Sequence, residues 1–184
     1  MKSQEKQTVN HERFDPFSAR LARDIRNTLS KAFLQSLNQH DQVIFQKKAD
    51  DLLRQKLAPQ YRNYIKDRLA RYDKALAIII KQDISEVVEQ SEVLWNLQLY
   101  FEMHEILEDI WTKSDGARRK ALQGLIRAAG MKINADQGRH NAAKSMAEKS
   151  LTDLMEYRSA LPEFPQIGSV LEEARKIAAI SSEE

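Results

Sequence analysis

Residues 94–111 read Leu94-Trp95-Asn96-Leu97-Gln98-Leu99-Tyr100-Phe101-Glu102-Met103-His104-Glu105-Ile106-Leu107-Glu108-Asp109-Ile110-Trp111. The apolar residues recur every three or four positions, the period of a helix with one buried face, and strand alternation is absent. On that helix Leu97, Tyr100, Met103, Leu107 and Trp111 share the apolar side. Glu102, Glu105, Asp109 and Lys113 gather into a charged face expected to meet solvent. His104 and Glu108 fall inside or at the edge of the apolar arc, four residues apart and so stacked on one another. An imidazole and a carboxylate on a face made for burial have to be paired, because an unsatisfied buried polar group is costly. The stretch predicts a helix carrying a buried His104–Glu108 pair.

Helical periodicity extends in both directions. Leu21, Ile25, Leu29, Phe33 and Leu37 step by four on a helix expected to start near Asp15-Pro16. A second helix after Asp41 carries Val43, Ile44, Leu52, Leu53 and Leu57, and Pro59 marks a kink or a new start. A third holds Tyr61, Tyr64, Ile65, Leu69, Tyr72, Leu76 and Ile79. Asp83-Ile84-Ser85-Glu86 fits a capping box. It would open an element that runs unbroken to Trp111 or bends near Asn96. Ser114-Asp115-Gly116 is a turn, followed by helices at about 117–136 and 141–161 separated at Gly138. Past Pro162 and Pro165, Ser169 and Glu172 suggest a last capped helix, ending in the tail Ser181-Ser182-Glu183-Glu184.

The expectation is an all-α bundle of six to seven helices with no sheet. It divides into a disordered tail at 1–13, a helical layer at 14–82, a core at 83–161 and a C-terminal helix with tail at 162–184.

Composition narrows the function. The chain has 184 residues, with 29 Lys and Arg against 27 Asp and Glu and a net charge of +2, which disfavours a globally basic nucleic-acid binder. Five Gly and four Pro disfavour a turn-rich β fold. With no Cys, disulfides, thiolate zinc sites and a cysteine nucleophile are excluded. Residues 1–13 carry no apolar stretch that could act as a signal. The longest apolar run, Ala75-Leu76-Ala77-Ile78-Ile79-Ile80, falls far short of the roughly 20 residues a span needs. These features lead to the expectation of a cytoplasmic protein without membrane association.

The run Tyr100-Phe101-Glu102-Met103-His104-Glu105-Ile106-Leu107-Glu108-Asp109-Ile110-Trp111 resembles domain of unknown function family 309, small helical prokaryotic proteins with a His-x-x-x-Glu-x-x-Trp motif. The similarity continues through Leu122-Gln123-Gly124-Leu125-Ile126 to a turn at Gln137-Gly138, covering about 90–155. The family often carries His where Lys132 to Asn134 lie, and a different turn in place of Gly138-Arg139-His140-Asn141-Ala142-Ala143. The resemblance implies an all-α bundle and supplies no activity. It singles out Tyr100, Phe101, Glu102, His104, Glu105, Glu108, Trp111, Gln123 and Gly124.

Three classes of function fit. The first is a non-enzymatic binding or scaffold module, without cofactor, whose His104–Glu108 pair fixes helix register and whose partner is a protein or a second copy of the chain. The second is a small metal-dependent or acid–base hydrolase centred on His104, Glu105 and Glu108. In it Glu108 raises the pKa of a His104 base, or the two ligate a metal that takes its third ligand from elsewhere. The third is a nucleic-acid-associated protein. Residues 47–74 hold nine basic residues against four Asp, with Tyr61, Tyr64 and Tyr72 interleaved. Arg62, Lys66, Arg68 and Arg71 would form its basic face. Arg118, Arg119 and Lys120 stand at a helix start where an anion can bind. Gln123, Arg127, Gly130 and Asn134 read as a solvated face, while Gly124 and Gly130 suggest close helix approach.

Overall fold

The computed structural model describes residues 13–180. Apart from Arg13, the tail expected at 1–13 lies outside the described residues, as does the tail expected at 181–184. Among the described residues there are eight α-helices and no strand. They are α1 (Arg20–Gln39), α2 (Val43–Leu53), α3 (Pro59–Lys81), α4 (Val87–Asn96), α5 (Tyr100–Thr112), α6 (Gly116–Asp136), α7 (His140–Tyr157) and α8 (Ile167–Ala178), with a 3-10 turn at Arg158–Ala160.

The eighth helix appears because the stretch at 84–111 is two helices. Gln98 takes a left-handed φ of 57°, and the Leu99 N–H reaches back to the Leu94 carbonyl at 2.8 Å. That closes α4 with a Schellman turn, and Leu94 and Leu99 are both fully buried beside it. The same device ends α1 at His40, α3 at Asp83 and α6 at Gly138, with φ of 51°, 52° and 69°. In each, the following N–H bonds a carbonyl five residues back: Asp41 to Ser36, Ile84 to Ile79, Arg139 to Asn134. Asp83 therefore closes α3 and does not cap α4, which begins at Val87 without a side-chain cap.

Two further starts are corrected. Asp15 accepts hydrogen bonds from the Phe17 N–H and the Ser18 hydroxyl, both 2.8 Å, so the chain turns there before α1 begins at Arg20. Ser169 lies inside α8, its hydroxyl donating to the Gln166 carbonyl. Pro59 proves to be a start, in the first turn of α3 where its missing N–H costs nothing.

Ile25, Leu29, Phe33 and Leu37 bury the predicted stripe of α1, while Leu21 at its beginning is exposed. The inner face of α2 is Phe45 and Ala49, with Val43 turned outward. Phe45, Phe33 and Tyr72 meet as an aromatic cluster, Phe33 stacking on Tyr72 with centroids 4.2 Å apart. Buried side chains of all eight helices form one continuous core.

Helices α6 and α7 run antiparallel in the most extensive helix contact. The Ser150 hydroxyl donates to the Gly124 carbonyl, and Arg127 pairs with Asp153. The face of α6 expected to be solvated thus packs on α7: Gly130 and Asn134 are buried, the Asn134 amide donating to the Gly130 carbonyl at 2.8 Å.

The two glycines of α6 make a contrast. A Cβ on Gly124 would sit 2.7 Å from the branched Leu154 side chain and 3.1 Å from Asp153 Cβ. On Gly130 it would meet only the flexible Met146 thioether, at 3.2 Å. Gly124→Ala should therefore lower stability by about 1–3 kcal/mol in urea unfolding, despite a better helix propensity. Gly130→Ala should stay within about 1 kcal/mol of wild type. Equal effects at the two positions would refute the close approach at Gly124.

Candidate functional site

The motif helix α5 is covered unevenly along its length. At its N-terminal turn α3 lies across the face that carries Glu102; farther on, that face is open and Asp109 is exposed. Glu102, expected in solvent, is 0% accessible. The Tyr72 hydroxyl donates to its Oε1 at 2.6 Å, and Arg68 Nη1 stands 3.7 Å from its Oε2. Burial, and then the neighbouring Glu102 carboxylate, hold the Tyr72 phenol well above its ordinary range, so it remains a donor.

The His104–Glu108 pair is not buried. Glu108 is exposed, its side chain 52% accessible, and His104 is partly covered at 28%. His104 Nε2 lies 3.9 Å from Glu108 Oε1, and Nδ1 lies 3.6 Å from Glu105 Oε1. Both separations exceed hydrogen-bond length. The Nδ1 atom is nonetheless buried and has no hydrogen-bond partner among the described residues. A nitrogen of His104 and an oxygen each of Glu105 and Glu108 lie within 4.8 Å of one another.

Trp111 does not seal this pair. It is partly exposed, with the Arg119 guanidinium 4.1 Å over its ring. Gln123 is half-buried on α6 and makes no hydrogen bond to the pair. Tyr100 is buried edge-on against Trp95, and Phe101 carries the Arg26 guanidinium at 3.8 Å.

The expected basic face is largely turned inward. Arg62 donates to the Leu53 carbonyl at the end of α2, and Arg71 donates to the Leu97 carbonyl at the end of α4. Arg68 is 17% exposed beside Glu102, and Tyr72 is fully buried. Of the four face residues only Lys66 is exposed, the other three being partly covered. Arg118 is engaged by Glu163 at 2.5 Å and Arg119 by the Ser114 carbonyl, so neither is a free anion ligand.

Two open spaces stand out. One, of about 600 Å³, lies where α3 and α4 meet the Pro162–Gln166 linker, with Glu89, Glu92 and Glu163 on its walls. The other, of about 480 Å³, is a groove between α1 and α5 that includes Arg26, Ser30, Phe101 and Glu105. The α1 residues of that groove were not anticipated, because on the sequence they are the polar flank of an amphipathic helix far from the motif.

The molecule is thus an all-α bundle with a partly exposed His-Glu-Glu cluster on its fifth helix, and among the described residues no helix is long and apolar enough to cross a membrane. Residues 88–146, from α4 into α7, match the family model described as Domain of unknown function (DUF309). Through this segment the chain is similar to that family. No curated protein and no solved structure matches it.

The buried Tyr72–Glu102 bond offers a direct check on this arrangement. Tyr72→Phe and Glu102→Gln should each lower stability by about 1.5–3 kcal/mol, the range for hydrogen bonds to charged groups. In a double-mutant cycle the two should couple by more than about 0.5 kcal/mol. Additive losses would show that the carboxylate is held by something else.

Proposed function

We propose that the protein is a non-enzymatic helical binding module whose ligand at α5 is a divalent transition-metal ion, held by His104, Glu105 and Glu108. The carrying observation is the convergence of one imidazole nitrogen and two carboxylate oxygens within 4.8 Å. Small side-chain rotations would bring the three donors to the roughly 2.0–2.2 Å that zinc requires. Histidine and glutamate four apart on a helix is a recurrent chelating geometry, and a mixed nitrogen–oxygen set suits zinc and its neighbours better than calcium.

Exposure supports this reading over a structural one. A pair that fixes helix register has to be buried, whereas Glu108 is half in solvent. An exposed pair of this kind contributes about 0–1 kcal/mol to stability. With Glu105 among the donors, none of the three remains as a base, which favours binding over hydrolysis. The nucleic-acid reading loses its footing because Arg62, Arg68 and Arg71 are spent on internal carbonyls and carboxylates.

Calorimetric titration of the metal-freed chain with Zn²⁺ at neutral pH should show one site per chain. His104→Ala and Glu108→Gln should weaken binding about tenfold or more while leaving the melting temperature nearly unchanged. Binding should fall as the solution is acidified, because metal binding releases protons from its ligand set. Absence of binding, or equal binding by both variants, would overturn the proposal.

A further inference from the structure

The groove between α1 and α5 contains an unexplained polar atom. Four serines among the described residues with defined placement are buried: Ser30, Ser36, Ser91 and Ser150. Ser36 accepts the Phe45 N–H, Ser91 donates to the Val88 carbonyl, and Ser150 donates to the Gly124 carbonyl. Ser30 is 2% exposed, and its hydroxyl has no partner among the described residues. A mid-helix serine ordinarily bonds the carbonyl four residues back, and Ser30 does not.

The wall around Ser30 is rich in donors. One and four residues away on the same flank of α1 stand Lys31 and Arg26, with Asn27 between. The Asn27 amide oxygen is already taken by the Arg26 guanidinium, through Nε at 3.2 Å and Nη2 at 3.0 Å, which leaves the amide NH₂ as a donor. Arg26 is itself fixed by stacking over Phe101. Guanidinium, amide and ammonium thus line one side of a space of about 480 Å³, a size that holds small organic ligands, with the Ser30 hydroxyl buried within that wall. Phe101 and Leu34 add an apolar surface. Glu105 is the one acidic residue lining it.

We propose that the α1–α5 groove binds an oxyanion borne on a small apolar body, with Ser30, Arg26 and Lys31 holding the anion and Phe101 packing on the body. A phosphate monoester and a carboxylate offer the same acceptor chemistry, and the groove takes either on these grounds. The inference rests on Ser30 and its neighbours and does not depend on the metal at His104, although Glu105 borders both sites.

Titration of metal-free, full-length protein with phenyl phosphate and with benzoate, followed by calorimetry and NMR shifts, tests it and tells the two sources apart. At least one probe should bind at one site per chain. Ser30→Ala should weaken that binding about fivefold to tenfold, and Lys31→Gln should weaken it severalfold. Glu105→Gln should strengthen it severalfold by removing the opposing charge, although it removes a metal donor. That opposite sign separates failure of this site from failure of the metal reading. Ser30→Ala should also melt no lower than wild type, since it deletes an unsatisfied hydroxyl. No binding of either probe, or binding unaffected by Ser30→Ala and Lys31→Gln, overturns the proposal.

Discussion

The buried Glu102 carboxylate is the constraint around which this fold is arranged. A fully desolvated acid needs partners, and α3 supplies them from two successive turns, the Tyr72 hydroxyl as a hydrogen-bond donor and the Arg68 guanidinium as a counter-charge 3.7 Å away. To do so α3 must lie across the first turn of α5, and once there Arg68 and Arg71 also meet the carbonyls left open where α4 ends, at Gln98 and Leu97. The left-handed Gln98 belongs to the same arrangement. Its side-chain oxygen accepts from Arg71, so the strain of a non-glycine residue in that conformation is offset by contacts that only α3 provides. One acid, two arginines and a tyrosine thereby fasten the N-terminal helices to the segment that carries the family match.

This arrangement also explains where sequence reading succeeded. The period of α1, α3, α5 and α6 was legible because it reflects which side of each helix faces the core. A helical projection, however, assigns one environment to a whole side of a helix. It put Glu102 and Asp109 together on a charged face, yet α3 covers the first and stops short of the second. It put Glu108 with His104 at the edge of burial, and the helix escapes its neighbours within that turn. The helix breaks were hidden for a related reason. Gly138 announces a left-handed residue, but His40, Asp83 and Gln98 do not, since a non-glycine residue adopts that conformation too rarely for its identity to mark it.

Charge counting likewise cannot tell internal cations from surface ones. The excess of basic residues at 47–74 looked like a surface for a polyanion. In the folded chain Arg62, Arg68 and Arg71 serve as caps and counterions inside the molecule. The positive groups left at a groove are instead Arg26 and Lys31, on a helix whose overall composition is unremarkable. What marks that helix is a single hydroxyl without a partner, a property of packing with no trace in sequence.

Glu105 joins the two proposed sites. It is a donor in the cluster with His104 and Glu108, it lines the α1–α5 groove, and it acts electrostatically on Arg26. Without metal, the two carboxylates of the cluster carry two negative charges beside a groove fitted for an anion. A divalent ion cancels that charge and removes the main repulsion an oxyanion would meet. By linkage, the factor by which metal strengthens the anion equals the factor by which the anion strengthens the metal. The groups are partly exposed, so salt should reduce this coupling over the Debye length of about 8–10 Å. A structural His104–Glu108 pair would give no such reciprocity.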